Sequence, residues 1–145
     1  MQKKIFPLGL FIGLLIILSI QPVLAANEIS VNPGIILPGE TVKITLTLDN
    51  KISTSGGTLT VTYKPSGTSW SISIPPFGPG GSKNWTFPDD WIPTNPGANT
   101  DKVGDYDVIA DIVLDTPPPP KPAKFRVEFF VIPEVLFGTV AATIA

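Results

Sequence analysis

Side chains able to take part in chemistry are concentrated in one connection of the sequence. Residues 88–103 show no regular alternation of apolar positions, and long connections of this kind are often functional. An aromatic face with a few polar groups around it is the composition of a small-ligand site such as a sugar site. The candidate ligand residues in this connection are Asp89, Asp90, Trp91, Asn95 and Asn99. The interpretation that we favour for Trp91 and Ile92 is that they fold back and cap the end of the domain, because large aromatic side chains are usually buried.

Carboxylates raise two further hypotheses, a calcium site and a glycosidase site. Calcium takes several oxygen ligands, but the acidic residues show no EF-hand spacing and no Gly/Asp repeat. Alternating acidic residues on a strand usually form a solvated face. Glycoside hydrolysis needs two carboxyl groups across a cleft, and the adjacent Asp89 and Asp90 do not establish that geometry. We therefore assign no catalytic residue, no metal and no cofactor.

Composition excludes several other classes of function. The chain has no Cys and no His, which removes thiol nucleophiles, disulfides, Cys/His zinc sites and Ser/His/Asp triads. The formal net charge is −2, and no basic stripe of the kind that binds nucleic acid is present. Seventeen Pro and thirteen Gly leave little room for long helices. These features together predict an all-β chain that is not an enzyme.

Residues 104–115 give the clearest structural signal. In steps of two, Tyr106, Val108 and Ala110 lie on one face, and the acidic residues lie on the other: Asp105, Asp107, Asp111 and Asp115. That alternation predicts a strand with one buried face. Similar stretches recur along the chain, which predicts about seven strands in a sandwich of roughly 100 residues. The other predicted strands are residues 28–31, 41–49, 58–64, 69–74, 83–87 and 124–131, with a polar turn at residues 53–57. The alternation in these strands predicts that Tyr63, Trp70 and Phe129 face inward.

The N-terminal residues 1–25 are typical of a secretory signal peptide. Lys3 and Lys4 precede an apolar run, and Val23 and Ala25 fit the small-residue pattern of a cleavage site after Ala25. We expect an N-terminal hydrophobic signal helix and an exported mature chain. The alternative is an uncleaved membrane anchor, since the apolar run nearly reaches the length needed to span a bilayer.

The order of motifs resembles immunoglobulin-like modules of the CARDB and NEW3 type. The sequence Gly104-Asp105-Tyr106 is similar to a tyrosine corner, in which the hydroxyl of Tyr106 would bond to backbone near residues 101–103. The other motifs that carry the resemblance are Pro38-Gly39-Glu40-Thr41-Val42, Ser69-Trp70-Ser71-Ile72 and Gly78-Pro79-Gly80-Gly81-Ser82. The resemblance implies a Greek-key β-sandwich over residues 26–132. It also implies a role in adhesion or support at an archaeal or bacterial cell surface.

Residues 133–145 resemble the start of the C-terminal anchor of archaeal surface proteins. Pro133-Glu134 precedes an apolar stretch, residues 135–145, that would be about 16 Å long as a helix. This is about half of a bilayer core of ~30 Å. Two interpretations stay open: the sequence is a piece of a longer chain cut within an anchor, or the tail is a strand that pairs with another subunit.

Asn84 begins an N-x-Thr sequence, Asn84-Trp85-Thr86, which is an acceptor for N-glycosylation in an exported chain. The partners we expect are cell-envelope proteins or surface glycans, with membrane contact through the leader and the C-terminal anchor and no nucleic acid. The function we predict is non-enzymatic, extracellular and structural or adhesive. The alternatives are a carbohydrate-binding module and a filament subunit assembled by strand donation.

Strand donation makes a prediction of its own. A tail that pairs with the open sheet edge of a neighbour would build polymers of the full chain, and deletion of residues 135–145 would abolish them. Light scattering of the full and the shortened chain measures the difference. Equal particle sizes for the two chains would contradict strand donation.

Overall fold

The computed structural model describes residues 27–116 and 118–129. The predicted signal helix and the predicted C-terminal anchor lie outside the described residues. Within them, β-strands supply all of the regular structure, and no helix is long and apolar enough to cross a membrane. The strands are β1 (Glu28–Asn32), β2 (Ile35–Ile36), β3 (Val42–Thr47), β4 (Thr54–Tyr63), β5 (Thr68–Ile74), β6 (Ser82–Phe87), β7 (Gly104–Leu114) and β8 (Ala123–Val127). The prediction of an all-β chain is confirmed for these residues.

The strands form two sheets. A three-stranded sheet has the order β1-β3-β6, and a five-stranded sheet has the order β2-β8-β7-β4-β5. All pairs are antiparallel except β2 and β8, which run parallel. In the described part of the chain, β8 pairs with β7 only as far as Val108, so residues 109–114 leave that edge of β7 without a partner strand.

One apolar core joins the two sheets, as expected of a β-sandwich. Val42, Ile44 and Leu46 come from β3, and they share a buried cluster with Val61 of β4 and Val108 of β7. Burial follows the alternation along β7, where Tyr106, Val108 and Ala110 are buried and the acidic side chains face outward. Removal of this apolar area from water is the main force that holds the sheets together.

The prediction of a polar turn at residues 53–57 is wrong, because these residues lie largely in the first part of β4. The register between β4 and β7 shifts between Thr54 and Gly57, and Gly56 has φ +119° at this bulge. The hydroxyl oxygen of Thr54 accepts a hydrogen bond from the Gly56 N–H at 2.9 Å. A Cβ at Gly57 would collide with the carbonyl oxygen of Asp111 on β7, so glycine is required there. Ser and Gly in sequence indicated a turn, whereas the structure uses them for a bulge and a close strand approach.

Two further expectations need correction at the edges of the five-stranded sheet. The described residues contain one short strand more than the seven predicted, since Ile35 and Ile36 of β2 pair with Arg126 and Val127 of β8. A strand of two residues is too short to show any alternation. The last strand is shorter than the predicted residues 124–131, because β8 ends at Val127. Phe129, which was predicted to face inward, is 72% exposed.

Two neighbouring residues of β7 test the placement of the core. Val108 is 0% exposed, whereas Ile109 is 43% exposed on the opposite face. We expect Val108→Asn to lower the free energy of unfolding by about 3 kcal/mol or more, because it buries an amide and removes packing. Ile109→Asn is the matched control and should change stability by less than about 0.5 kcal/mol. Thermal or urea unfolding measures both, and equal losses would contradict the assignment of the two faces.

Candidate functional site

Trp91 fixes the connection of residues 88–103 against β5. Its side chain is 0% exposed and meets the ring of Phe87 edge-on, with the ring centroids 5.1 Å apart. Its indole N–H donates a hydrogen bond to the carbonyl oxygen of Trp70 on β5 at 3.2 Å. Turns from residue 88 to residue 94, closed by hydrogen bonds such as Ile92 N–H to Pro88 carbonyl at 3.0 Å, hold Trp91 in this place. Trp91 therefore packs into the domain and offers no exposed face to a sugar.

Two polar side chains extend this attachment. The side-chain amide of Asn95 donates to the carbonyl oxygen of Ser71, also on β5, at 2.8 Å. The buried hydroxyl of Thr100 donates to the carbonyl oxygen of Glu40 at 2.6 Å, which ties the connection to the turn before β3. Because Trp91 and Asn95 bond to backbone carbonyls of β5, the connection covers part of the outer edge of the five-stranded sheet.

A cleft lies between this connection and the strands β4 and β5. Tyr63 at the end of β4 and Trp70 on β5 are half-buried and form its aromatic walls. Asn99 and Lys102 of the connection line it as well, and its volume is about 270 Å³. Aromatic walls with a few polar groups are the usual composition of a ligand site. This cleft is the candidate functional site of the described residues.

Tyr106 supports the cleft from below. Its hydroxyl donates to the carbonyl oxygen of Lys102 at 2.9 Å, within the stretch where a tyrosine corner was expected to bond. The hydroxyl of Tyr63 donates to the carbonyl oxygen of Val103 at 2.7 Å, and the two tyrosine rings pack with centroids 4.9 Å apart. Gly104 (φ +142°) allows this packing, because a Cβ there would lie 3.1 Å from the Tyr63 ring. Two tyrosines thus fix the backbone that carries Lys102.

The cleft is neutral at its base, where Tyr106 lies, and positively charged at its edge, where Lys102 lies. Burial raises the pKa of Tyr106 to about 12, so its hydroxyl stays a neutral donor at physiological pH. The ammonium of Lys102 lies 5.9 Å from the centre of the Tyr63 ring, within the range of a cation–π contact. Among the described residues, no carboxylate lies within 4.0 Å of the Lys102 ammonium.

The candidate ligand residues of the sequence do not form one site. Asn99 lines the cleft, while Trp91 and Asn95 act as attachments to β5. The carboxylate of Asp90 accepts a hydrogen bond from the Thr86 N–H at 2.7 Å, a local contact within the turn. Asp89 is exposed and is not among the residues that line the cleft.

Asn84 lies on the edge strand β6 with its side chain exposed. Its carbonyl oxygen accepts a hydrogen bond from the hydroxyl of Thr45 on β3 at 2.7 Å. The amide nitrogen, which is the atom that a glycan would modify, makes no side-chain hydrogen bond with any described residue. Glycosylation of Asn84 stays a prediction.

Three of the acidic side chains on β7 and directly after it contact neighbouring side chains. Asp105 lies 3.5 Å from the Arg126 guanidinium, and Asp107 lies 3.6 Å from the Lys64 ammonium. Asp115 accepts a hydrogen bond from the hydroxyl of Ser53 at 3.1 Å. Over residues 27–116 and 118–129, no group of three or more acidic side chains is placed to hold a metal ion.

Sequence reasoning missed most of the residues in the cleft. Tyr63 and Trp70 were predicted to face the core, and Lys102 was not singled out. The three come from three separate segments, so no local spacing could have grouped them. The nearest signal was the tyrosine corner, which predicted where the backbone around Lys102 would be held.

Comparison of the chain with models of known protein families and with curated proteins gives no match.

The Tyr106 hydroxyl gives a pH-dependent prediction. With a pKa of about 12 in the folded chain and roughly 10 when unfolded, folding favours the protonated form. The stabilisation that the protonated Tyr106 hydroxyl gives to the folded chain is complete below pH 10 and is lost as the pH rises towards 12. Tyr106→Phe should cost about 1–2 kcal/mol at neutral pH, because the Lys102 carbonyl loses its donor.

The difference in phenolate absorbance between the parent chain and Tyr106→Phe, followed with pH, isolates this group. This absorbance difference should rise near pH 12. A rise near pH 10 would show that Tyr106 is exposed to solvent and would contradict the corner.

Proposed function

We propose that the chain is an exported, immunoglobulin-like β-sandwich with a structural or adhesive role at a cell surface. The observation that carries this proposal is the arrangement of the strands together with the corner at Tyr106. The leader-like residues 1–25 supply the reason to expect export. The partners of such a module are cell-envelope proteins or surface glycans.

The order of the strands supports an immunoglobulin-like Greek key. The sheet β1-β3-β6 corresponds to strands A, B and E of that fold, and β8-β7-β4-β5 corresponds to G, F, C and C′. β2 follows β1 after a short turn and joins the other sheet beside β8, as a first strand does when it is divided between the sheets. Tyr106 stands near the start of β7, the strand that carries the corner tyrosine in such sandwiches.

The chemistry of the described residues supports a role in binding or support. The carboxylates of Asp90, Asp105, Asp107 and Asp115 each have a local partner. The described residues that line the cleft offer aromatic rings, a threonine hydroxyl, an amide and an ammonium group, and none of them is acidic. A set of this kind can hold a ligand, and it lacks the two carboxyl groups that glycoside hydrolysis usually requires.

Labelling of intact cells tests the surface location. Lys43 and Lys121 are exposed, so a membrane-impermeant amine reagent should modify both on intact cells of the source organism. Mass spectrometry of the labelled peptides measures this, and the mature N-terminus should be Ala26. A cytoplasmic protein of the same cells serves as the control and should react only after lysis. Modification of Lys43 only after lysis would contradict the proposed location.

A further inference from the structure

The cleft between residues 95–103, β4 and β5 has the size of a small-ligand site. Its volume of about 270 Å³ lies just below the roughly 300–1,000 Å³ of pockets that hold drug-sized ligands. One ring-sized group fits such a space, with the rest of a longer molecule outside it. Because the cleft is partly open to solvent, a residue within a chain can enter as readily as a free molecule.

The walls of the cleft favour a ring with apolar faces. The hydroxyl of the half-buried Tyr63 already donates to the carbonyl oxygen of Val103, so this phenol turns mainly carbon surface towards a ligand, while Tyr106 is buried beneath it. Trp70 differs, because its indole N–H makes no hydrogen bond with any described residue. Trp70 therefore combines a flat apolar surface with an available donor.

The side-chain amide of Asn99 in the cleft is held in place by hydrogen bonds and can still form further ones. The Asn99 amide donates to the Gly97 carbonyl at 2.9 Å and accepts from the Asp101 N–H at 3.0 Å. A side-chain amide has two N–H groups and two lone pairs on oxygen, so one donor and one acceptor position remain. One free donor and one free acceptor on the same amide suit a hydroxyl group, which can both donate and accept a hydrogen bond.

Lys102 adds a positive charge at the same place. Its ammonium lies over the Tyr63 ring and has no carboxylate within 4.0 Å among the described residues. The hydrogen bonds from Tyr63 and Tyr106 to Val103 and Lys102 fix the backbone beneath it. An inorganic anion would pair with the ammonium but would leave the aromatic walls unused. A neutral sugar would use the walls but would leave the ammonium without a counter-charge.

We propose that this cleft binds an anionic sugar residue of a polysaccharide, with its ring against Trp70 and Tyr63 and its acidic group at Lys102. The uronic acid carboxylate and the sulfate ester share this chemistry. The inference rests on the proposed surface role, since it names the class of partner that an adhesive module of this chain would take.

Titration calorimetry of the full chain, in one non-ionic detergent throughout because both of its ends are apolar, tests the proposal. The probes are polygalacturonate and dextran sulfate, with neutral dextran and polyglutamate as controls. We expect binding of polygalacturonate or dextran sulfate, or of both, and the tighter of the two identifies the acidic group. Dextran lacks the charge and polyglutamate lacks the sugar ring, so neither should bind comparably.

Lys102→Gln should weaken that binding by about tenfold or more, because it removes a charge-assisted contact. Lys43→Gln is the matched control, since Lys43 is also exposed but lies on β3 in the other sheet. Equal effects of the two variants would overturn the proposal, as would polyglutamate binding as tightly as the acidic glycans. Failure of both acidic glycans to bind would overturn it as well.

The aromatic wall gives an independent variant. Trp70→Phe keeps an aromatic ring beside Phe87 but removes the free indole N–H, and it should weaken glycan binding several-fold. Trp85→Phe changes a half-buried tryptophan of the other sheet and should leave binding unchanged. Thermal unfolding of both variants shows whether they fold, and loss of binding in Trp85→Phe alone would contradict the site.

The two proposals fail in different ways. If no acidic glycan binds while intact-cell labelling still reaches Lys43, the cleft has been assigned wrongly and the surface role stands. If the cleft binds glycans but Lys43 is labelled only after lysis, the surface role falls.

Discussion

The buried indole of Trp91 is the contact on which the face with the candidate site depends. It packs against Phe87 in the core and donates its N–H to a backbone carbonyl of β5, so it joins the core to a sheet edge. Loss of a buried tryptophan typically costs about 3–5 kcal/mol, a large share of the stability of a small domain. Without this side chain, residues 88–103 would lose their main attachment to the sandwich.

The positions of the other groups follow from this attachment. Asn95 bonds to the next residue of β5, and Thr100 bonds back to the turn before β3. The connection then reaches Lys102 and Val103, whose carbonyls accept the hydroxyls of Tyr106 and Tyr63. A long irregular segment thereby becomes a fixed wall, and the cleft beside it has a defined shape. The buried ring of Trp91 therefore positions the connection, and the connection forms one wall of the ligand-sized cleft.

Local patterns predicted the parts of the fold that local physics determines. The alternation from Tyr106 to Ala110 predicted the buried face of β7, because a strand with one dry face needs period two. The resemblance of Gly104-Asp105-Tyr106 to a tyrosine corner implied a bond from the Tyr106 hydroxyl to backbone near residues 101–103, and the hydroxyl donates to the Lys102 carbonyl. The same reasoning failed at residues 53–57, where Ser and Gly serve a bulge against β7.

The candidate site was harder to predict, because long-range pairing creates it. For Trp91 a cap was favoured over a sugar platform, but only its contacts with Phe87 and Trp70 show which surface it covers. Tyr63, Trp70 and Lys102 come together through the pairing of β4 with β5 and the path of residues 88–103. A local sequence pattern does not show which distant residues the fold brings together.

The most direct test of this account is hydrogen exchange at the indole N–H groups, followed by NMR after transfer of the chain into D₂O. The Trp91 N–H, buried and bonded to the Trp70 carbonyl, should exchange far more slowly than the Trp70 N–H, which has no partner among the described residues. Exchange of Trp91 as fast as that of Trp70 would mean that the connection is not attached to β5, and the cleft would lose its wall.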